Sequence, residues 1–229
     1  MKISAWKVAG PAAVLAVAAI VLLSGAGCQG LGYMGYLLAP ETSQKSIEPE
    51  LAEMDNHRVA IILYADQRAL YEYPYLRLTL ASAIKGELTQ RLKGVVVVDP
   101  ARVSRYQEEH INWDSDDKTV LGKALGADYI LYVSLVEYTT REPGSVNLYR
   151  GRIIAECSVY KTSLPEREAK VWQGETISVL YPIDSTNGVP AENDRDIRQA
   201  TEKLLAEALA KKFYKHKAPK EDDGHITTR

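Results

Sequence analysis

The sequence predicts one α/β domain with a mixed five-stranded sheet, made of three parallel strands and an antiparallel C-terminal hairpin, and with helices packed on the sheet. Two continuous apolar runs enclose an amphipathic stretch, which is typical of a parallel strand, helix and strand. The C-terminal half holds two stretches in which apolar and polar residues alternate. Of the 229 residues 46% are apolar, which is enough for one core.

The first elements form the predicted crossover. Arg58–Tyr64 is apolar at every position after Arg58, as in a strand covered on both faces. Residues 75–92 carry apolar side chains at three- and four-residue spacing and predict a helix that ends at Gly94. Residues 95–98 are all valine and predict a second buried strand beside the first.

The remaining elements complete the sheet. Residues 100–110 predict a short helix, and Asp116 or Asp117 can cap another at Lys118–Leu125. Residues 127–138 predict the third strand. Leu148–Lys161 and residues 170–181 predict the two arms of the hairpin, around a turn at 162–166. Asn193 or Asp194 can cap a last helix, whose apolar face would carry Ile197, Ala200, Leu204, Leu205, Ala208, Leu209 and Phe213.

The amino terminus has the order of an export signal. Lys2 and Lys7 precede an apolar run from Val8 to Leu23, and small residues then lead to Cys28. This order resembles bacterial lipoprotein signals, in which such a cysteine is acylated, for example with palmitate, and becomes the new amino terminus. The open alternative is an uncleaved membrane anchor, because a spanning helix needs about 20 apolar residues.

That resemblance implies a protein of the cell envelope, held by lipid at Cys28 and facing the periplasm. Gln29 after the cysteine resembles the sorting signal for the outer membrane. If Cys28 carries lipid, Cys157 has no partner for a disulfide within the chain. We therefore expect a signal peptide at 1–27, a lipidated flexible linker at 28–56, the α/β domain at 57–216 and a disordered polar tail at 217–229.

A second resemblance concerns the domain. Residues 121–131, LGKALGADYIL, resemble a helix, Gly-Ala-Asp turn and strand shared by CsgG-like curli-secretion lipoproteins, TolB amino-terminal domains and LpoB-like activators of penicillin-binding proteins. Residues 155–161 followed by 170–174, with Trp172, look like their paired strands. The resemblance implies this fold over nearly the whole domain. It is weakly specific for function, because one fold hosts different tasks.

Several functions are disfavoured by composition and motifs. A net charge of −2 gives no basic field for nucleic acid. The glycines from Gly30 to Gly35 match a dinucleotide fingerprint but lack the flanking strand and helix, so no cofactor is expected. The histidines lack metal-ligand spacing. A secretion pore would need additional membrane hairpins, and the only long hairpin already belongs to the sheet.

The most distinctive candidate site is aromatic. The chain has 14 tyrosines and one phenylalanine, and Tyr71, Tyr73 and Tyr75 cluster ahead of the long helix. Tyrosine is enriched at protein interfaces, so these rings predict a partner surface. The alternative is that they close one end of the core.

We therefore expect a non-enzymatic lipoprotein that serves as a binding, assembly or accessory module for an envelope protein complex, with membrane lipid and either an envelope protein or its own copies as partners. One alternative is an envelope hydrolase, whose site would gather at strand ends near Asp66 or Asp99. Another is a self-assembling structural or secretion oligomer.

Overall fold

The computed structural model describes residues 44–185, 187–190 and 194–219. The strands are β1 (Gln44–Ile47), β2 (Arg58–Tyr64), β3 (Val96–Val97), β4 (Tyr129–Arg141), β5 (Leu148–Lys161), β6 (Lys170–Gln173), β7 (Ile177–Tyr181), β8 (Val189–Pro190) and β9 (His216–Pro219). The helices are α1 (Gln67–Glu72), α2 (Leu76–Arg91), α3 (Pro100–Glu109), α4 (Lys118–Leu125), α5 (Glu166–Ala169) and α6 (Asp194–Ala210).

The chain divides into two units. The small unit contains the paired strands β1 and β9, and the larger unit spans Ile47–His216. These strands lie in parts of the chain for which the sequence predicted a flexible linker and a disordered tail. Leu51 and Met54, also in the predicted linker, are buried, so the ordered domain begins earlier than expected.

The larger unit is built on a mixed sheet of strand order β3-β2-β4-β5-β6, with β7 and β8 also paired to β5. The predicted parallel arrangement of β2, β3 and β4 is confirmed. Side chains of β2 alternate between two cores, and residues 59–63 are at most 2% exposed. One core packs against α2 and α6 and the other against α3 and α4, which covers β2 on both faces as predicted.

The sheet has seven strands, so the predicted number of five is wrong. The second arm of the hairpin is broken into β6 and β7, and β8 adds a short third piece. Between the paired positions, Glu156 and Cys157 of β5 stand opposite residues 174–176. Three residues opposite two leave one residue extra, which interrupts the pairing with β5.

The second predicted strand is also shorter and more exposed than expected. β3 has two residues and only β2 as neighbour, so it lies at the sheet edge. Val96 is 56% exposed, whereas Val95 and Val98 are buried. The run of four valines predicted a strand buried on both faces. The structure covers only part of that run, because β3 lies at the sheet edge.

Candidate partner-binding surface

The carboxyl end of β2 creates one end of the domain. The parallel register of β2 with β4 stops at the pair Tyr64 and Ser134, and β4 continues to Arg141. Asp66 begins α1 here by accepting a hydrogen bond from the Ala69 amide at 2.7 Å. We call α1, together with residues 73–75 and residues 135–141 of β4, the distal end.

The three predicted tyrosines all lie at the distal end, but in different environments. Tyr71 is 88% and Tyr75 is 71% exposed, whereas Tyr73 is 4% exposed. The Tyr73 ring packs edge to face on Tyr138, with centroids 4.8 Å apart. Tyr73 therefore closes this end of the core, and the exposed aromatic surface consists of Tyr71 and Tyr75.

The Tyr73 hydroxyl joins α1 to β4. It lies 3.0 Å from Thr140 Oγ1 and accepts a hydrogen bond from the Thr140 amide at 3.3 Å. It also donates to Glu72 Oε1 at 3.2 Å. Burial raises the pKa of Tyr73, so the phenol stays neutral and keeps its proton for donation.

A cavity of about 270 Å³ separates α1 from β4. Its lining consists of Asp66, Arg68, Ala69, Glu72, Leu135, Val136, Glu137, Tyr138 and Thr139. Val136 is 61% exposed at its rim. The hydrolase alternative required a polar pocket at a strand end near Asp66 or Asp99. Asp66 lines one, whereas Asp99 caps α3 by accepting from the Ala101 amide.

The carboxylates of the cavity already have structural contacts. Asp66 caps α1, and Glu72 accepts a hydrogen bond from Tyr73. Glu137 forms an ion pair with Arg152 of β5 at 3.4 Å. No serine, cysteine or histidine is among the lining residues. These contacts tie Asp66 and Glu72 to α1 and its carboxyl end, and Glu137 to β5.

A second concavity of about 660 Å³ lies between α2 and α6. Its floor contains Glu202, a buried carboxyl group that the sequence analysis did not single out. Thr79 and Tyr138 donate hydrogen bonds to Glu202 Oε1 at 3.0 and 2.7 Å. The signal was present in the sequence, because Glu202 falls three residues before Leu205 on the apolar stripe of α6.

The chain enters the larger unit at the opposite end of β4. Glu50 accepts hydrogen bonds from Lys212 Nζ at 2.7 Å and Trp172 Nε1 at 3.1 Å. Glu53 accepts one at 3.2 Å from the hydroxyl of Tyr129, the first residue of β4. We call residues 47–57 and the contacts that they make the proximal end. β4 runs for 13 residues from Tyr129 at the proximal end to Arg141 at the distal end, a length of about 40 Å at about 3.3 Å per residue.

Cys28 lies outside the described residues. Cys157 is 1% exposed on β5, and burial, assisted by the charge of Glu156, raises the pKa of its thiol to about 12. Among residues 44–185, 187–190 and 194–219, no helix is both long and apolar enough to cross a membrane. The same residues contain no group of three side chains suited to holding a metal ion.

The fold and the distal end define a mixed α/β domain with an exposed aromatic end. No family model matches the sequence, and no curated protein matches it either. Similar solved structures include lipoprotein GNA1162 from Neisseria meningitidis, at 12% identity and a TM-score of 0.41, over 66% of this chain and 97% of that one. A PelC dodecamer from Paraburkholderia phytofirmans has 12% identity and a TM-score of 0.41, over 73% and 96% of the two chains.

A minor lipoprotein from Acinetobacter baumannii is also similar, at 15% identity and a TM-score of 0.33, over 67% of this chain and 89% of that one. These identities and scores are too low to assign the chain to any family or function. The resemblance to CsgG-like, TolB amino-terminal and LpoB-like proteins stays a prediction.

Proposed function

We propose that the chain is a bacterial lipoprotein, anchored in a membrane of the cell envelope through acylated Cys28, whose domain binds an envelope protein and catalyses no reaction. The order of charged, apolar and small residues before Cys28 supports the anchor. Several acyl chains hold a protein firmly on a bilayer, because each buried CH₂ contributes about 0.8 kcal/mol. Gln29 favours the outer membrane, with the domain in the periplasm.

The observation that carries the binding role is the separation of the two ends of β4. The segment that leads back to Cys28 joins the domain at the proximal end, through Glu50 and Glu53. The exposed rings of Tyr71 and Tyr75 lie at the distal end. If the lipid lies toward the proximal end, the distal end can contact a partner away from the lipid. Exposed tyrosines suit such a contact, because they bury a broad ring with little loss of side-chain entropy.

Crosslinking in living cells tests this proposal. Tyr71 and Tyr75 would each be replaced by the photoreactive residue p-benzoylphenylalanine, which keeps an exposed aromatic ring. We expect both positions to crosslink to one envelope protein in the membrane fraction. The matched control is the same replacement at Val96, which is 56% exposed and pairs with Arg58 at the amino end of β2.

Three results would count against the proposal. Equal crosslinking from Val96 would mean that the contact is nonspecific. If neither tyrosine position crosslinked, the distal end would not be the partner surface. A product of twice the chain's mass would instead favour the self-assembling oligomer. The anchor is tested separately with Cys28→Ser, which should abolish incorporation of a labelled fatty acid into the chain while its melting temperature stays unchanged.

A further inference from the structure

One side of β4 is left without a neighbouring strand over part of its length. β2 covers that side only as far as Ser134, whereas β5 covers the other side to Arg141. Among the described residues, no strand continues the sheet next to residues 135–139. An uncovered strand edge presents backbone N–H and C=O groups that can pair with another chain. The register with β5 shifts between Leu135 and Glu137, so Val136 is an extra residue that bends this edge.

Both ends of this uncovered length are closed. β2 ends the opening at Ser134, and the Tyr73 hydroxyl ends it by accepting a hydrogen bond from the Thr140 amide. Residues 135–139, which we call the open edge, therefore form a gap of about 16 Å, at about 3.3 Å per residue. The cavity of about 270 Å³ lies between this gap and α1, so an added strand of full length would also have to displace α1.

The surroundings of the open edge favour a positively charged occupant. Three carboxylates line the cavity, from Asp66, Glu72 and Glu137, against the single guanidinium of Arg68. Arg152 compensates Glu137 from β5. Asp66 and Glu72 accept hydrogen bonds from neutral groups only, so their charges remain to attract a cation. Val136 adds exposed apolar contact at the rim.

We propose that the open edge binds an extended, positively charged segment of a partner protein, which adds to the sheet as a short strand beside β4. Strand addition draws affinity from backbone hydrogen bonds and selectivity from alternate side chains. Lysine or arginine side chains of the segment would face Asp66 and Glu72. This inference deepens the proposed function, on which it rests, by stating how the distal end recognises its partner.

Synthetic peptides test the backbone and charge requirements together. The probe is a capped short peptide of alternating lysine and valine, titrated into the full chain in detergent micelles and followed by amide NMR shifts. We expect the shifts to centre on residues 135–139. A peptide of alternating glutamate and valine should bind about tenfold more weakly, because charge complementarity governs such encounters. The lysine peptide with N-methylated amides should lose about tenfold as well, because it cannot donate backbone hydrogen bonds.

Two double variants identify the charges responsible. Asp66→Asn with Glu72→Gln should weaken binding of the lysine peptide several-fold and flatten its salt dependence, and Asn at position 66 keeps a good cap for α1. Glu166→Gln with Glu168→Gln is the matched control, because both lie exposed on α5, away from the distal end. Circular dichroism would verify that both double variants are folded.

The outcomes separate this inference from the proposed function. Strand addition would be overturned if the N-methylated peptide bound as tightly as the lysine peptide. It would also be overturned if the control variant lost as much affinity as the test variant, or if the NMR shifts centred on other residues. If the lysine peptide does not bind while Tyr71 still crosslinks in cells, the partner contacts the distal end without using the open edge. If the peptide binds as expected but no crosslink forms in cells, the open edge does bind positively charged segments, but the proposed binding of an envelope protein is wrong.

Discussion

Glu202 places a carboxyl group inside the contact between α2, β4 and α6, where it is 3% exposed. Burial raises its pKa, while hydrogen bonds from Tyr138 and Thr79 and the charge of Arg198 lower it, with a net rise. The Tyr73 ring packs on Tyr138 behind it. Burial also raises the pKa of Tyr138, so this phenol stays a neutral donor. The folded chain thus holds the Glu202 proton more tightly than the unfolded chain does.

This difference makes stability depend on pH. The contribution of Glu202 is fully present below the pKa of the unfolded carboxyl and is lost as pH rises through the higher folded pKa. Each unit between the two pKa values is worth about 1.4 kcal/mol. We expect Glu202→Gln, which cannot ionise, to gain stability relative to the parent chain between acidic and neutral pH. Melting followed by circular dichroism at several pH values checks this.

The control for that prediction is Tyr138→Phe. It removes a donor that favours the charged carboxylate, so it should raise the Glu202 pKa further and steepen the loss of stability with pH. A constant difference between Glu202→Gln and the parent at every pH would contradict the prediction. It would mean that the carboxyl group titrates alike in the folded and unfolded chains.

At the scale of elements, a close approach of α6 to β5 depends on Gly151. A methyl group at this position of β5 would overlap the hydroxyl of Thr201, which is buried on α6. We expect Gly151→Ala to force the two elements apart and to lower the free energy of unfolding by about 1–3 kcal/mol, the usual effect of overpacking. Urea unfolding measures the change.

Two further variants make the Gly151 result specific. Thr201→Ala removes the hydroxyl and the methyl of Thr201 but keeps its Cβ, so the double variant should recover part of the loss. The recovery measures the coupling between the two positions. Gly86→Ala, on α2 with open space around it, should instead stabilise by about 0.5–1 kcal/mol. If Gly151→Ala behaves like Gly86→Ala, the close contact between β5 and α6 does not limit packing.

The sequence predicted some elements better than others for a physical reason. The positions of β2 and α2 follow from patterns within the elements themselves, an unbroken apolar run and an apolar stripe. The break between β6 and β7 depends on register against β5, which no local pattern records. The exposure of Val96 likewise depends on its place at the sheet edge.

The candidate surface was predicted only in part. The cluster of tyrosines predicted a partner surface at residues 71–75, and the structure leaves Tyr71 and Tyr75 exposed there but buries Tyr73. The pattern could not show that Tyr73 turns inward, because its contacts with Tyr138 and Thr140 come from residues more than 60 positions away. The cavity is formed by α1 and β4 together, so it has no signature in either segment alone. Both features depend on which distant segments pair with each other, and no local sequence pattern records that pairing.

At the scale of the whole molecule, the proposed anchor and the domain can be tested through the two cysteines. In the mature lipoprotein Cys28 would carry lipid on its sulfur and would have no free thiol. Cys157 is buried on β5, and its raised pKa of about 12 leaves almost no reactive thiolate near neutral pH. Acylation at one position and burial at the other should therefore protect both sulfurs in the folded chain.

Thiol counting turns this into a prediction. A maleimide added to the purified chain in detergent at about pH 7 should label no cysteine in the folded state, and one after unfolding, as read by intact mass, because only the thiolate reacts. Cys157→Ser should abolish the label that appears on unfolding. One label on the folded parent chain, lost in Cys28→Ser, would show that Cys28 has a free thiol, and the lipid anchor would then have to be abandoned. Rapid labelling of folded chain that persists in Cys28→Ser would instead show that β5 opens readily.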